Sequence, residues 1–456
     1  MVAFVASLVM DTANLNPPPQ SGTPRPSHVV GPLFRAALVT CMAPILIAMA
    51  SVPRDTSQIN LIQESTANAL GISLELDFYR NSAYECGLTG NYTFLVINPV
   101  GDPDAEAPLW VYLHGGGVGY YDDTSTYVAV KDQTENTWNH EETFSDLWEK
   151  AVLANSFNQN TGQPIDSTLK RRIEEGYRVV AVSMCDHDVY SGLGTPYTHN
   201  PNPGAEVNGL QATMAAIDYM VAHYPTTHVW AHGTSAGSIG VWSLASSYTD
   251  EGTPLTGIVA DSWIATPRLR TTAEAFTGEP DYPFGPGFDV DGITDKVGYF
   301  ARDDIGQEPE ARIPDDDFRE VPSLFINGND DPFCGGNQGP LAEAVAEGLT
   351  NCQWYHDVLR QAIDDQPNSP HAFHNFLGYG HVPTNRGGPA NNTVNDFVDG
   401  VMATNPPPFG SSQAVPGLGP LALGLLALTA TGTGVWRLRS AGSLKASARK
   451  QDERGQ

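Results

Sequence analysis

Basic residues are scarce in this sequence of 456 residues. Lysine and arginine number 24 against 52 aspartate and glutamate residues, which gives a formal net charge of −28 at pH 7. A phosphate backbone would repel such a chain, so we exclude a nucleic-acid partner. Cysteine is also rare, with five residues in all. Hydrophobic residues are not rare, and their 41% share excludes a globally disordered protein.

The N-terminal end of the chain differs from its middle. Residues 1–35 are rich in proline and serine without periodicity, which indicates a disordered leader or a start site assigned too far upstream. Residues 36–50 form a short apolar run that follows an arginine and ends in Ala-Met-Ala, the pattern of a secretory signal peptide. We therefore predict an exported protein, with a buried helix as the alternative interpretation of this run.

The C-terminal end has a second apolar run. A proline- and glycine-rich linker at residues 406–417 leads into residues 418–456, which comprise an uncharged stretch and a basic tail. The uncharged stretch, residues 418–436, is long enough to cross a hydrocarbon layer of ~30 Å. The basic tail would stay on the cytoplasmic side and leave the rest of the protein outside. This end resembles the sorting tags of bacterial envelope proteins, and a plain single-span anchor is the alternative.

Four cysteines lie in the middle part of the chain, residues 51–405. An even number of cysteines in an exported chain predicts two disulfides, with three possible pairings among Cys86, Cys185, Cys334 and Cys352. The pair Cys334 and Cys352 closes the shortest loop, and we favour it.

Short apolar runs alternate with helical patterns through residues 51–405, which predicts one α/β domain. The runs end at glycine, aspartate or serine and suit strands buried on both faces of a parallel sheet. They are residues 109–113, 178–183, 228–231, 257–260 and 323–326. Residues 92–97 predict an earlier antiparallel strand, and residues 209–224 repeat apolar side chains with helical spacing. In such a sheet, functional groups collect at the carboxyl ends of the strands.

The clearest functional motif is Gly-Thr-Ser-Ala-Gly around Ser235, between a predicted strand and a predicted helix. This is the nucleophile elbow of α/β-hydrolases, in which a strained turn holds the serine hydroxyl above the sheet. The start of the helix favours developing negative charge. We predict that Ser235 is a nucleophile; an ordinary glycine-rich turn is the alternative.

A second motif, His-Gly-Gly-Gly, directly follows the run at residues 109–113. Consecutive glycines let main-chain amides approach a substrate oxygen, since no side chain intervenes. We predict an oxyanion hole from the amides of Gly116, Gly117 and Ala236. A structural turn is the alternative.

The acid and the base of such a site are expected to follow the serine in that order. Asp331 stands three residues after the glycine that follows the run at 323–326, and we favour it over its neighbour Asp330. His381 lies in a glycine-flanked loop that suits a base. His371 and His374 stand closer to a helix-like stretch, where we expect them to pack or cap.

The stretch Cys-Asp-His-Asp-Val-Tyr-Ser-Gly from Cys185 resembles the Cys-x-x-Asp-Val-Trp-x-Gly stretch of pectin acetylesterases and Notum-like carboxylesterases. The triple glycine, an Asn-Gly helix start and Gly-Thr-Ser-Ala-Gly occur in matching order, over residues 109–261. The resemblance implies an α/β-hydrolase fold with cap insertions and a secreted serine hydrolase that removes acyl groups without a metal. It carries the roles of nucleophile, acid and base to Ser235, Asp331 and His381.

The chain departs from that family at Val118 and Gly119, where the family has an aromatic residue and a cysteine, and at Ser238, where it has glycine. These departures concern the substrate pocket more than the mechanism. The long insertion at residues 120–170 predicts a lid or pocket wall, or a cover for the sheet. Residues 268–322 predict a second cap segment.

We predict no cofactor and no metal. The carboxylates of Asp186 and Asp188 flank His187, but further metal ligands are not evident, so we expect Asp188 to bind backbone amides instead. The expected substrate is a small-molecule or polysaccharide ester. The alternatives are a serine peptidase or lipase on the same residues, and a catalytically inactive adhesion module.

Overall fold

The computed structural model of the chain describes residues 52–404, with gaps in that range. The gaps are residues 53, 70, 87–89, 118, 122–126, 130–140, 159–160, 197–203, 205, 264–308, 315–320, 335–338 and 367–368. The predicted leader, signal segment, linker and C-terminal span all lie outside the described residues, as does most of the predicted second cap. In the part that the structure describes, no helix is long and apolar enough to cross a membrane.

The described residues contain one large sheet and two small ones. In chain order the strands are β1 (Ile59–Ala69), β2 (Ile72–Cys86), β3 (Gly90–Ile97), β4 (Ala107–Leu113), β5 (Gly119–Tyr121), β6 (Tyr127–Ala129), β7 (Arg178–Val182), β8 (Thr195–Pro196), β9 (Glu206–Val207), β10 (Thr226–Thr234), β11 (Gly257–Asp261), β12 (Ser323–Gly328) and β13 (Ala372–Phe376). The large sheet has the order β1-β2-β3-β7-β4-β10-β11-β12-β13. Strand β5 pairs with β6, and β8 pairs with β9.

The large sheet is antiparallel at one end and parallel over the rest. Strand β3 pairs antiparallel with β2 and β7, whereas the six strands from β7 to the far edge run parallel to one another, in the order β7, β4, β10, β11, β12 and β13. The mostly parallel sheet, its five predicted runs and the early antiparallel strand are therefore confirmed. With helices on both faces, this is the α/β-hydrolase fold.

The hairpin of β1 and β2 was not predicted. Most of β1 is exposed, and β2 alternates between buried and exposed positions. An edge hairpin with one solvated face has no continuous apolar run, so a search for buried parallel strands overlooks it.

Eight α-helices lie in the described residues. They are α1 (Phe144–Leu147), α2 (Thr168–Glu174), α3 (Gly209–His223), α4 (Ala236–Asp250), α5 (Pro309–Arg312), α6 (Ala342–Ala346), α7 (Asn351–Asp364) and α8 (Pro389–Ala403). A π-helical turn (Trp148–Leu153) continues α1, and short 3₁₀ turns span Pro332–Cys334 and Pro383–Arg386. The helix predicted at residues 209–224 is confirmed as α3, which ends just before Pro225.

The core has two halves, one on each face of the sheet. Neighbouring residues of a strand point to opposite faces, so Val111 and Val180 pack in one half while Trp110 and Val179 pack in the other. Helices α3 and α4 cover the first half, and α2 and α8 cover the second.

The described part of the insertion at 120–170 covers the sheet. Leu147 is fully buried in the second half of the core, and Phe144 and Trp148 pack against that half. These two aromatic side chains are partly buried against the core, so the described part of the insertion covers the sheet, which is one of the two expectations for it.

Two disulfides join the four cysteines of the domain. Cys334 pairs with Cys352, as we favoured, and Cys86 pairs with Cys185. The second pair joins residues 99 positions apart and links the end of β2 to the loop that follows β7.

Candidate active site

Ser235 occupies a strained turn between β10 and α4. Its φ of 55° and ψ of −119° lie in a backbone region that residues other than glycine rarely adopt. The flanking glycines make the turn possible, since a Cβ at Gly233 would collide with the carbonyl of Gly237, and a Cβ at Gly237 would collide with the carbonyl of Leu113. The turn is fastened to the next strand, because the Ser235 N–H donates to the carbonyl of Asp261 at 2.8 Å.

Helix α4 begins at the residue directly after Ser235. Ala236 is the first residue of this helix, so its N–H has no acceptor within the helix. Ser238, which replaces a glycine of the resembled family, donates its hydroxyl to the carbonyl of Ser235 at 2.6 Å. The departure at this position therefore adds a hydrogen bond beneath the elbow.

The structure brings Ser235, His381 and Asp331 into one hydrogen-bonded series. Nε2 of His381 lies 2.7 Å from the hydroxyl oxygen of Ser235, across 146 positions of the chain. Nδ1 of His381 lies 2.8 Å from Oδ2 of Asp331, whose side chain is fully buried. An aspartate that accepts from Nδ1–H leaves Nε2 as the acceptor toward the serine hydroxyl.

Asp330 has a different place. Its side chain is exposed, and its backbone N–H donates to the carbonyl of Tyr379 at 2.8 Å. Asp331 is held by its own loop, since one carboxylate oxygen also accepts from the N–H of Phe333 at 2.9 Å. Of the two candidate acids, only Asp331 contacts His381.

The loop that carries His381 is held by residues that were not predicted. Val382 has a φ of 52°, and its N–H donates to the hydroxyl of Ser262 at 2.6 Å. Thr384 donates its N–H and its hydroxyl to Oδ2 of Asp261, the N–H at 3.3 Å. Asp261 directly follows the apolar run at 257–260, so its position at the carboxyl end of a parallel strand was a signal in the sequence.

Burial dominates the electrostatics of Asp261. The side chain is fully buried, and burial raises its pKa to about 7 against the lowering effect of the hydrogen bonds from Thr384. The nearby carboxylate of Asp331 raises the pKa further. A buried carboxyl with a raised pKa therefore anchors the histidine loop.

The triple glycine passes directly over the elbow. Gly115 is closest to the serine, because a Cβ there would lie 2.8 Å from Cβ of Ser235. Its N–H donates to the hydroxyl of Thr234 at 3.1 Å, which ties the glycine loop to β10. Gly117 has a φ of 80°, a conformation that favours glycine.

The loop after β7 packs against the triple glycine. A Cβ at Gly116 would lie 2.9 Å from Cε of Met184 and 3.6 Å from Cε1 of His187. Three residues of this short loop, His187, Val189 and Tyr190, have positive φ and therefore a strained backbone conformation.

Asp188 holds that loop from inside. Its carboxylate accepts from the N–H groups of Tyr190, Gly192 and Gly209 at 3.0, 2.9 and 2.8 Å. The predicted role of Asp188 as a partner of backbone amides is confirmed.

The two other candidate histidines lie on or beside β13, a strand that was not predicted. His371 is buried just before the strand and His374 is exposed within it. The imidazole that lies against Ser235 and Asp331 is that of His381.

Comparisons with known proteins return structural neighbours only. No family model matches the chain, and no curated protein matches it. The solved structures that it resembles include an S-formylglutathione hydrolase from Agrobacterium tumefaciens, with 13% identity over 75% of this chain and 99% of that chain and a TM-score of 0.39. A glucuronoyl esterase from Solibacter usitatus has 10% identity over 77% and 87% of the two chains and a TM-score of 0.41. Est1E from Butyrivibrio proteoclasticus has 13% identity over 75% and 100% and a TM-score of 0.34. The resemblance to pectin acetylesterases therefore stays a prediction.

Proposed function

We propose that this protein is an exported serine ester hydrolase that works through an acyl-enzyme. The observation that carries the proposal is the series from Ser235 through His381 to Asp331, with contacts of 2.7 and 2.8 Å. A serine hydroxyl becomes a strong nucleophile when an adjacent imidazole accepts its proton and a carboxylate orients that imidazole. The two disulfides support the exported location, because disulfides persist in oxidising compartments.

The reaction begins when Oγ of Ser235 attacks the ester carbonyl carbon and Nε2 of His381 takes the hydroxyl proton. Asp331 stabilises the imidazolium that forms. The oxyanion of the tetrahedral intermediate accepts hydrogen bonds from the amides of Gly116, Gly117 and Ala236, each of which contributes up to ~10²–10³ in kcat.

The intermediate collapses when the bond between the carbonyl carbon and the alcohol oxygen breaks. His381 gives its proton to the departing alcohol, and the acyl group stays on Ser235. A water molecule then attacks the acyl-enzyme with His381 as its base, which releases the acid and restores the serine.

The resemblance to pectin acetylesterases extends the proposal to acyl groups carried on carbohydrate. The strong negative charge of the chain disfavours a polyanionic polymer such as bare pectate, so we expect neutral acetylated sugars to be better substrates.

The test uses p-nitrophenyl acetate and a fluorophosphonate probe. Wild type should hydrolyse the ester and be labelled on Ser235, and Ser235→Ala should lose both activities. Ser246→Ala is the matched control, since Ser246 lies buried on the same helix α4 and its hydroxyl has no hydrogen-bond partner in the described structure. Equal activity in wild type and Ser235→Ala would overturn the proposal. Preferential cleavage of peptides over esters would instead identify the protein as a peptidase.

A further inference from the structure

A buried carboxylate lies behind the triple glycine. Glu142 is fully buried, and its Oε2 accepts from Nε2 of His114 at 3.0 Å and from the backbone N–H of Met184 at 3.2 Å. Its Oε1 accepts from Nζ of Lys150, which reaches solvent with 28% of its side chain exposed. The backbone of Glu142 is also fixed, because its carbonyl accepts from the hydroxyl of Thr93 at 2.7 Å.

The charges around Glu142 offset the cost of its burial. Burial alone raises the pKa of this carboxyl, but the charges of His114 and Lys150 and the hydrogen bonds from both outweigh it and hold the pKa well below its ordinary value. A buried carboxylate is tolerated only when it is paired and hydrogen-bonded in this way. Glu142 therefore carries a negative charge at neutral pH.

His114 connects this charge to the glycine loop. Its Nδ1 lies 2.7 Å from the carbonyl oxygen of Gly115, while its Nε2 faces the carboxylate of Glu142. A carbonyl and a carboxylate both accept hydrogen bonds, so the ring donates to both only when each nitrogen carries a proton.

The carbonyl of Gly115 and the N–H of Gly116 belong to the same peptide group. No peptide bond in the described residues is cis, so in this planar trans group the C=O and N–H bonds point in opposite directions and their dipoles add. A donor that holds the carbonyl of Gly115 therefore sets the direction of the N–H of Gly116. It also polarises that N–H, because hydrogen bonds in series strengthen one another.

We infer that Lys150, Glu142 and His114 form a charged relay that positions and polarises the Gly115–Gly116 peptide for oxyanion binding. The inference rests on the proposed function, since it assigns these three residues a task in that reaction. They are positioning residues, because they act on the oxyanion through Gly116. Glu142 lies 28 positions beyond His114 in the chain, and no motif in the sequence indicated that the two residues are in contact.

The kinetic test separates this task from simple support of the fold. Glu142→Gln and Lys150→Met are compared with Lys150→Arg, which keeps the charge, and with Lys170→Met. Lys170 is the matched control, since it is 24% exposed and pairs with Asp166 and Glu174 on the surface. The measurements are kcat and KM for p-nitrophenyl acetate, the inhibition constant of a trifluoromethyl ketone that forms an oxyanion on Ser235, and Tm.

We expect kcat to fall about tenfold or more in Glu142→Gln and Lys150→Met, less than the ~10²–10³-fold loss that follows removal of an oxyanion donor itself. Inhibition by the ketone should weaken in proportion, while KM changes little, because the relay acts on the transition state. Lys150→Arg should keep most of the wild-type kcat and ketone inhibition, and Lys170→Met should match wild type in both. A fall in Tm with unchanged kcat and ketone binding would reduce the relay to a structural element and overturn the inference.

A second measurement does not depend on activity. In ¹⁵N spectra of the histidine rings, with His114 assigned by its absence in His114→Gln, both ring nitrogens of His114 should carry protons in wild type and only one in Glu142→Gln. A ring nitrogen of His114 without a proton in wild type would contradict the relay even if the enzyme is active. An inert wild type with an unlabelled Ser235 would contradict the proposed function, and the ring spectra would then decide the relay by themselves.

Discussion

Asp261 accepts hydrogen bonds from both the backbone N–H and the hydroxyl of Thr384, which stands three residues beyond His381. The contact joins the carboxyl end of β11 to the loop that carries the imidazole. Since Asp261 is also next to the strand that leads to Ser235, the serine and the histidine are held by the same end of the sheet.

The raised pKa of Asp261 makes stability depend on pH. In the folded state the carboxyl has a pKa of about 7, against 3.8 for the exposed group, so the folded protein binds the extra proton between these values. Stability from this group is therefore lost as the pH rises from about 4 through about 7. Asp261→Asn removes the ionisable group but keeps an acceptor for Thr384. In urea unfolding between pH 4 and 8, the free energy of unfolding of wild type should fall relative to that of the variant as the pH rises. The same pH dependence in both proteins would refute this assignment.

The two neighbouring aspartates should differ sharply in activity. Under the proposed function, Asp331→Asn removes the carboxylate that orients His381 and should lower kcat by roughly 10⁴-fold, as loss of the triad aspartate does in serine proteases. Asp330→Asn should change kcat by less than about twofold, because an exposed side chain that does not contact the imidazole contributes little. The measurement is hydrolysis of p-nitrophenyl acetate, and comparable losses in both variants would contradict the assignment of Asp331.

Two glycine-to-alanine changes in helices should have opposite effects. A Cβ at Gly237 would collide with the backbone of Leu113, so Gly237→Ala must separate the elbow from β4 and should cost ~1–3 kcal/mol or more. Gly400 in α8 has no atom within 4 Å of a Cβ, so Gly400→Ala should stabilise the protein by about 0.5–1 kcal/mol. Denaturant unfolding measures both changes. A tolerated Gly237→Ala with normal activity would show that the elbow does not need this close approach.

The two disulfides should contribute unequally to stability. In the chain-entropy description, cross-linking a loop of about 100 residues contributes about 4.7 kcal/mol and a loop of 15 residues about 3 kcal/mol. The Cys86–Cys185 bond spans 99 positions and the Cys334–Cys352 bond spans 18. Replacing both cysteines of the first pair by alanine should therefore lower the free energy of unfolding more than the same change in the second pair. The reverse order in urea unfolding would show that local strain or packing outweighs the length of the loop.

The elbow and the strands of the sheet were predictable because their signals are local. A buried parallel strand needs a short apolar run, and a strand that turns at once into a helix needs small residues around Ser235. The hairpin of β1 and β2 was missed because its exposed face breaks the apolar pattern. The strand β13 was not predicted for a related reason, since an edge strand has few buried positions.

The sequence by itself determined which side chains could carry the proposed chemistry: a serine between two glycines, a glycine-rich loop after a strand, and an aspartate and a histidine in the expected order. The tertiary structure decided which of two adjacent aspartates reaches His381, which cysteine joins Cys185, and that Glu142 and Lys150 stand behind the glycine loop. These outcomes depend on contacts between residues far apart in the chain. Such contacts are set by how strands and loops pack in space, and the order of residues within any one segment does not contain that information.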